Sequence, residues 1–151
     1  MIIRRAGPDD VAALKHLGAA AHAANTANLP AIEPDMVAAV AAHLLPMEAV
    51  FCALLAERDG GAFGMLMGTL SQYLPFSSAP VARVDTIYVD PDFRSLRVTR
   101  GLMRAFTAWA AKNGAYRVTV SVGAGARASR IAKLYERLGF AYQGATYYKD
   151  I

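Results

Sequence analysis

The chain has 151 residues, of which 55% are hydrophobic and 19% charged, and a net charge of +4. That much apolar side chain excludes intrinsic disorder, and no run approaches the ~18 unbroken apolar residues of a membrane-spanning helix. One domain is expected, since a chain of roughly 150 residues buries about two-thirds of its unfolded surface and builds one sizeable core.

The apolar fraction is partly alanine, present 31 times, and alanine favours helix and close packing. Cys52 is the only cysteine, which excludes an intramolecular disulfide and a zinc site made of cysteine pairs. Met1-Ile2-Ile3-Arg4-Arg5 lacks the basic start, apolar stretch and cleavage site of a signal peptide, so a cytoplasmic protein with no membrane contact is expected. Charge is unevenly placed: residues 1–82 carry 4 basic and 7 acidic side chains, residues 83–151 carry 12 and 5. The later part therefore prefers an anion. Arg94, Arg97, Arg100 and Arg104 have no acid among them and either meet a phosphate-bearing ligand or form a solvated face. A nucleic-acid surface is not expected, because no aromatic stacking platform or known binding motif accompanies them.

In chain order, Ile2 to Arg5 reads as a strand. Gly7-Pro8-Asp9-Asp10 opens a helix with proline and acids at its start, and Val11, Leu14, Leu17 and Ala21 supply its apolar stripe. Asn25 to Pro30 is loop. Pro34-Asp35 opens a second helix, which Pro46 stops. Val50 to Ala56 is continuously apolar and predicts a strand buried on both faces. Asp59-Gly60-Gly61 predicts a hairpin turn, and Phe63 to Leu70 the return strand, with Gly64 and Gly68 permitting a bend or bulge. Tyr73 to Pro80 is loop, and Arg83 to Val89 a fourth strand. The helix from about Arg97 to Asn113 turns Val98, Leu102, Met103, Phe106 and Trp109 inward, and Gly114 ends it. Tyr116 to Val122 is a fifth strand. Arg127 to Leu138 is helical, with Gly139 as its cap. Phe140 to Gln143 and Thr146 to Lys149 are two closing strands. The order predicts an α/β fold: one twisted mixed sheet of about seven strands flanked by about four helices.

Read for chemistry alone, several residues have structural explanations. His16 and His22 stand six apart, which does not place two ligands on one helical face, and no carboxylates complete a set with them or with His43, so no metal is expected. Cys52 lies in an apolar strand and reads as packing. Gly123-Ala124-Gly125 reads as a crossover turn. Tyr135 reads as a core aromatic on an amphipathic helix, Asp85 as a strand aspartate in a hydrogen bond or facing solvent, Tyr73 and Tyr88 as lining an acceptor pocket or as half-buried aromatics, and Glu33 as reaching the acceptor site or as a helix-start residue.

Two segments and the opening carry a resemblance. Val89-Asp90-Pro91-Asp92-Phe93-Arg94 followed by Ser95-Leu96-Arg97-Val98-Thr99-Arg100-Gly101-Leu102, the late Leu134-Tyr135-Glu136-Arg137-Leu138-Gly139-Phe140, and the initial Ile3 to Asp10 resemble the GCN5-related N-acetyltransferases (the GNAT family). The resemblance spans residues 1–151 as a single GNAT-like domain. It implies a splayed mixed sheet and acetyl-CoA, with coenzyme A as its product, serving as co-substrate. It also implies acetyl transfer to a primary amine by direct attack, with no acyl-enzyme.

By the same resemblance, the acyl pantetheine arm lies against strand four at Ile87, Tyr88 and Val89, and the Val89 N–H is the oxyanion donor. Arg94, Ser95, Leu96, Arg97, Val98 and Thr99 hold the pyrophosphate, with Arg100 near the 3′-phosphate. A loop entering a helix is suited to this, since its free N–H groups and positive dipole end attract phosphate. Arg97 stands where the family has its first loop glycine and Thr99 where it has a second small residue, as in some phage and prophage members. Ala128 falls at a usual asparagine, with Ser129 beside it as a substitute. Tyr135 stands at the family's leaving-group acid. Asp85, where the family often has an acid, is the candidate base, and alternation predicts that Asp85, Ile87 and Val89 share a face. The acceptor is a small-molecule or protein amine, and a homodimer fits the family's habit. The competing reading is a catalytically silent GNAT-fold module that docks to a virion component or other partner.

Overall fold

The computed structural model describes residues 1–24, 31, 33, 39, 42–72, 78–122 and 128–144. Among these, one sheet of five strands runs in the order β1 (Ile2–Arg5), β2 (Phe51–Arg58), β3 (Gly61–Gln72), β4 (Pro80–Val89) and β5 (Arg117–Val120). The first four are antiparallel neighbours, and β5 joins β4 in parallel. Helix α1 (Val11–Ala23) follows β1, α2 (Leu96–Lys112) makes the β4–β5 crossover, and α3 (Ala128–Arg137) follows β5.

The uninterrupted apolar run becomes β2, whose residues Phe51 to Ala56 are all buried because both faces are covered. On one face Phe51, Ala53 and Leu55 meet Leu14 and Leu17 of α1. On the other, Cys52, Leu54 and Ala56 join the larger core under Val98, Leu102, Met103, Phe106 and Trp109 of α2. These five residues sit on one stripe at helical spacing, as the sequence predicts. Asp59 and Gly60 both take positive φ, 52° and 80°, the conformation that a two-residue hairpin turn demands. Gly114 and Gly139 end α2 and α3 at φ 80° and 90°, conformations open to glycine. No helix among the described residues is long and apolar enough to cross a membrane.

Two expectations change. The sheet shows five strands among the described residues instead of seven. Residues 140–143 are irregular chain: the Phe140 N–H closes the end of α3 on the Tyr135 carbonyl at 3.0 Å, so the segment begins as a helix terminus. The second closing strand, Thr146 to Lys149, lies outside the described residues. So does most of the helix from Pro34 to Pro46, of which 39 and 42–44 are described as helical, and so do the Asn25–Pro30 loop and Tyr73.

At the far edge of the sheet, Arg4 bridges Asp10 (2.7 Å) and Glu57 (2.6 Å), tying β1 to β2 and to the start of α1. The Arg4 guanidinium holds the Asp10 carboxyl down at about 2, and the Gly7 N–H assists. The folded protein thus prefers the carboxylate more strongly than the unfolded chain does. The stability gained is complete above the ordinary value of 3.8 and is lost as pH falls through about 2. Asp10→Asn is expected to flatten that acid limb in thermal melts recorded against pH, and an unchanged limb would remove Asp10 as its source.

Candidate functional site

The site is built where β4 and β5 part. Val81 to Val84 pair with Arg117 to Val120, and there the parallel ladder ends. Strand β4 continues through Asp85 to Val89, still paired with β3 on its other side. Among the described residues, that stretch has an open edge. The Asp90 N–H bonds the Phe63 carbonyl of β3 at 2.8 Å. Main-chain groups of successive strand residues point to opposite sides, so those of Val89 and Ile87 face the open edge. The Val89 carbonyl accordingly accepts from Arg94 Nε at 2.8 Å.

A bulge at the parting point decides which way the side chains face. Gly68 pairs with Val84 and Met67 with Thr86, which leaves Asp85 as the extra residue and reverses the alternation. Val89 and Ile87 therefore pack into the core under α2. Asp85 turns to the α1 face, where its Oδ2 accepts from Thr69 Oγ1 (3.1 Å) and its Oδ1 from Arg83 Nε (2.7 Å). Thr69 pairs with Phe51, a member of the α1-side core. The expectation that Asp85, Ile87 and Val89 share a face is thus corrected. It assumed unbroken two-residue alternation, and one inserted residue inverts it. Tyr88 faces the α1 side, with the Arg94 guanidinium 5.7 Å from its ring centre.

The other wall is the start of α2. Ser95 is the N-cap, and its Oγ accepts from the Val98 N–H at 3.3 Å. The Thr99 N–H and hydroxyl both reach the Ser95 carbonyl, at 3.2 and 3.4 Å. Among the described residues, the Leu96 and Arg97 N–H groups have no partner, as expected of a helix's first donors. Arg97 and Arg100 are exposed and Val98 is buried in the core. Beside this turn is a cleft of about 320 Å³ whose lining includes Arg58, Phe93, Arg94, Ser95 and Arg97. Phe93, one of its lining residues, lies against Phe63 with ring centres 4.6 Å apart, and the Arg58 guanidinium is 5.6 Å from the Phe93 ring centre.

Tyr135 is buried, 6.0 Å from Phe140 between ring centres, and Phe140 packs on the α2-side core. Burial pushes the phenol's pKa up, so it keeps its proton at neutral pH. Ser129 lies exposed in the first turn of α3. Asp85 thus lies on the α1 face, while Phe140, the ring neighbour of Tyr135, packs on the α2-side core. Elsewhere, Cys52 is fully buried and its thiol is pushed up to about 11, chiefly by that burial, which is the packing role the sequence predicts. Among the described residues no three His, Cys, Asp or Glu side chains are grouped to hold a metal.

Sequence reasoning missed Arg83 and Thr69 as the partners of Asp85. Arg83 was readable, because residues two apart on a strand share a face. Thr69 was not, because it depends on the β3–β4 register. The hold of Arg94 on the Val89 carbonyl was likewise invisible.

Residues 17–140 match the family described as Acetyltransferase (GNAT) family. No curated protein sequence matches the chain. Its fold is similar to that of the aminoglycoside N-acetyltransferase AAC(6')-Iy solved with the bisubstrate analogue CoA-S-monomethyl-acetylneamine, with a TM-score of 0.81 and 20% identity over 99% of this chain and 97% of that one. It is also similar to the aminoglycoside 6'-N-acetyltransferase AAC(6')-IG from Acinetobacter haemolyticus, in its apo form (TM-score 0.76, 22% identity, 100% and 98% covered). A third similar structure is the ribosomal-protein-alanine N-acetyltransferase from Brucella melitensis biovar Abortus 2308 (TM-score 0.73, 22% identity, 100% of both chains). At these identities the likeness is one of fold.

Proposed function

We propose how this chain works from one premise: it belongs to the GNAT acetyltransferase family, and its activity is acetyl-CoA-dependent transfer of an acetyl group to an amine. The observation that carries the reading of the site is the run of β4 from Asp85 to Val89 past the end of β5, beside the capped start of α2. An extended, amide-bearing arm suits a strand edge whose N–H and C=O groups lack a ladder partner. A pyrophosphate suits a helix start with spare N–H groups and arginines around it.

In this reading Ile87, Tyr88 and Val89 receive the pantetheine arm. The Leu96 and Arg97 N–H groups, with the Arg94 and Arg97 guanidiniums, hold the pyrophosphate. Ser95, Val98 and Thr99 shape the turn that presents those donors, Arg100 lies toward the 3′-phosphate, and Ser129 adds a hydroxyl from α3. Asp85 takes the proton of the attacking ammonium through water and so frees the nitrogen lone pair. The Val89 N–H stabilises the negative oxygen formed on attack. Tyr135 gives its proton to the sulfur as the carbon–sulfur bond breaks. The bulge supports the role given to Asp85, since it turns that side chain away from the core face on which Ile87 and Val89 pack, toward the side from which an amine would enter.

Thermal-shift titration with acetyl-CoA and coenzyme A tests the reading. Ligand at a hundred times its Kd stabilises by about 2.7 kcal/mol, and Arg97→Glu is expected to abolish most of that shift. No shift at millimolar ligand would overturn the placement of the pyrophosphate. The competing reading, a silent docking module, is not favoured by membership in a family of acetyltransferases.

A further inference from the structure

We propose that the amine acceptor carries an anionic group, a carboxylate or a phosphate, beside its amine, and that Arg83 recognises it. The proposal rests on the reading of Asp85 as base and names the substrate class of that same site. Both oxygens of Asp85 are engaged, by Arg83 Nε and by Thr69 Oγ1, yet a carboxylate has room for about four hydrogen bonds and can still accept from an incoming ammonium or water. Among the described residues, Arg83 is the less satisfied partner. Its Nε is committed to Asp85, while its side chain is 64% exposed against 30% for Asp85. A guanidinium offers five N–H donors in a rigid fork, so the Nη side of Arg83 is presented to solvent next to the carboxylate.

Both residues sit at the point where β5 leaves β4, on the α1 face. An acceptor delivering its amine to Asp85 therefore meets a fixed cation within a few ångströms. A polycationic acceptor is repelled there. An amine with a nearby anion places its two charges against the two opposite charges of the Asp85–Arg83 pair. The selectivity expected is roughly tenfold, the scale of one exposed charge-assisted hydrogen bond.

The test uses the full chain saturated with coenzyme A and three amines that share an aminoethyl unit: ethanolamine, β-alanine and O-phosphoethanolamine. The Arg83 Nε–H signal, assigned with Arg83→Lys, is followed by ¹⁵N-edited NMR. The expected result is that β-alanine or O-phosphoethanolamine moves this signal at about tenfold lower concentration than ethanolamine. The anion with the lower Kd identifies the headgroup, and the preference, followed in parent and variant alike through the Asp85 backbone amide signal, vanishes in Arg83→Gln. Equal affinities, no movement with either anionic amine, or a preference that survives in Arg83→Gln would each overturn the proposal. Turnover of the same amines is measured in parallel. Anion preference at Arg83 without acetylation of any amine would support the recognition and count against acetyl transfer, whereas acetylation without preference would sink only the recognition.

Discussion

Tyr135→Phe is expected to lower kcat by about 10²–10⁴-fold, the range a positioned general acid contributes, while coenzyme A binding persists. The ring is buried against Phe140, so phenylalanine preserves the packing and removes only the proton donor. Burial raises the phenol's pKa above its usual 10, which bears on the pH profile. The donor stays protonated through the neutral range, and loss of rate from its ionisation falls above pH 10, not below. Two measurements separate acid from packing residue: single-turnover rates with saturating acetyl-CoA, and the melting-temperature shift caused by coenzyme A. An unchanged rate would remove Tyr135 from the acid role. A loss of both rate and ligand shift would show a structural effect instead.

The largest stability effect is expected at Phe106. This side chain is fully buried in the core between α2 and the sheet, and Trp109 stacks on it at 5.1 Å. Phe106→Ala is expected to cost about 3–5 kcal/mol in urea denaturation, a large part of the ~5–15 kcal/mol that holds a domain folded. The ring reaches β3 only because residue 68 is glycine. A Cβ there would strike both the Phe106 ring and the Arg83 carbonyl oxygen. Gly68→Ala is accordingly expected to destabilise by about 1–3 kcal/mol as an overpacking change. In the Phe106→Ala background its cost should shrink but not vanish, since the backbone oxygen stays in place. Strict additivity of the two changes would show that ring and glycine do not share a contact. The same close approach bears on the site, because Gly68 pairs with Val84 on the near side of the Asp85 bulge.

Much of the frame was legible in local pattern. Val98, Leu102, Met103, Phe106 and Trp109 announced the buried stripe of α2, and all five are buried. The run from Phe51 to Ala56 announced a strand covered on both faces. Asp59-Gly60 announced its hairpin. In each case the signal is a period or a turn chemistry carried by adjacent residues, which needs no knowledge of the partner. The segment from Val89 to Leu102 and Leu-Tyr-Glu at 134–136 likewise pointed to the family by residue type alone.

What remained hidden depends on register between distant strands. That β4 outruns β5 by five residues follows from where the parallel ladder stops, at Val84 opposite Val120, and no local preference encodes a stopping point. The face of Asp85 follows from one unpaired residue in the β3–β4 ladder, and a single inserted residue inverts every side chain beyond it. Thr69 and Asp85 are 16 positions apart and meet only through that register. The chemical types at the site, an acid, a tyrosine and a row of arginines, were therefore set by the sequence itself. Their arrangement, with the acid turned to the α1 face of a strand edge and the arginines at the helix start beside it, was decided by tertiary pairing, because hydrogen-bond ladders are satisfied between strands and not within them.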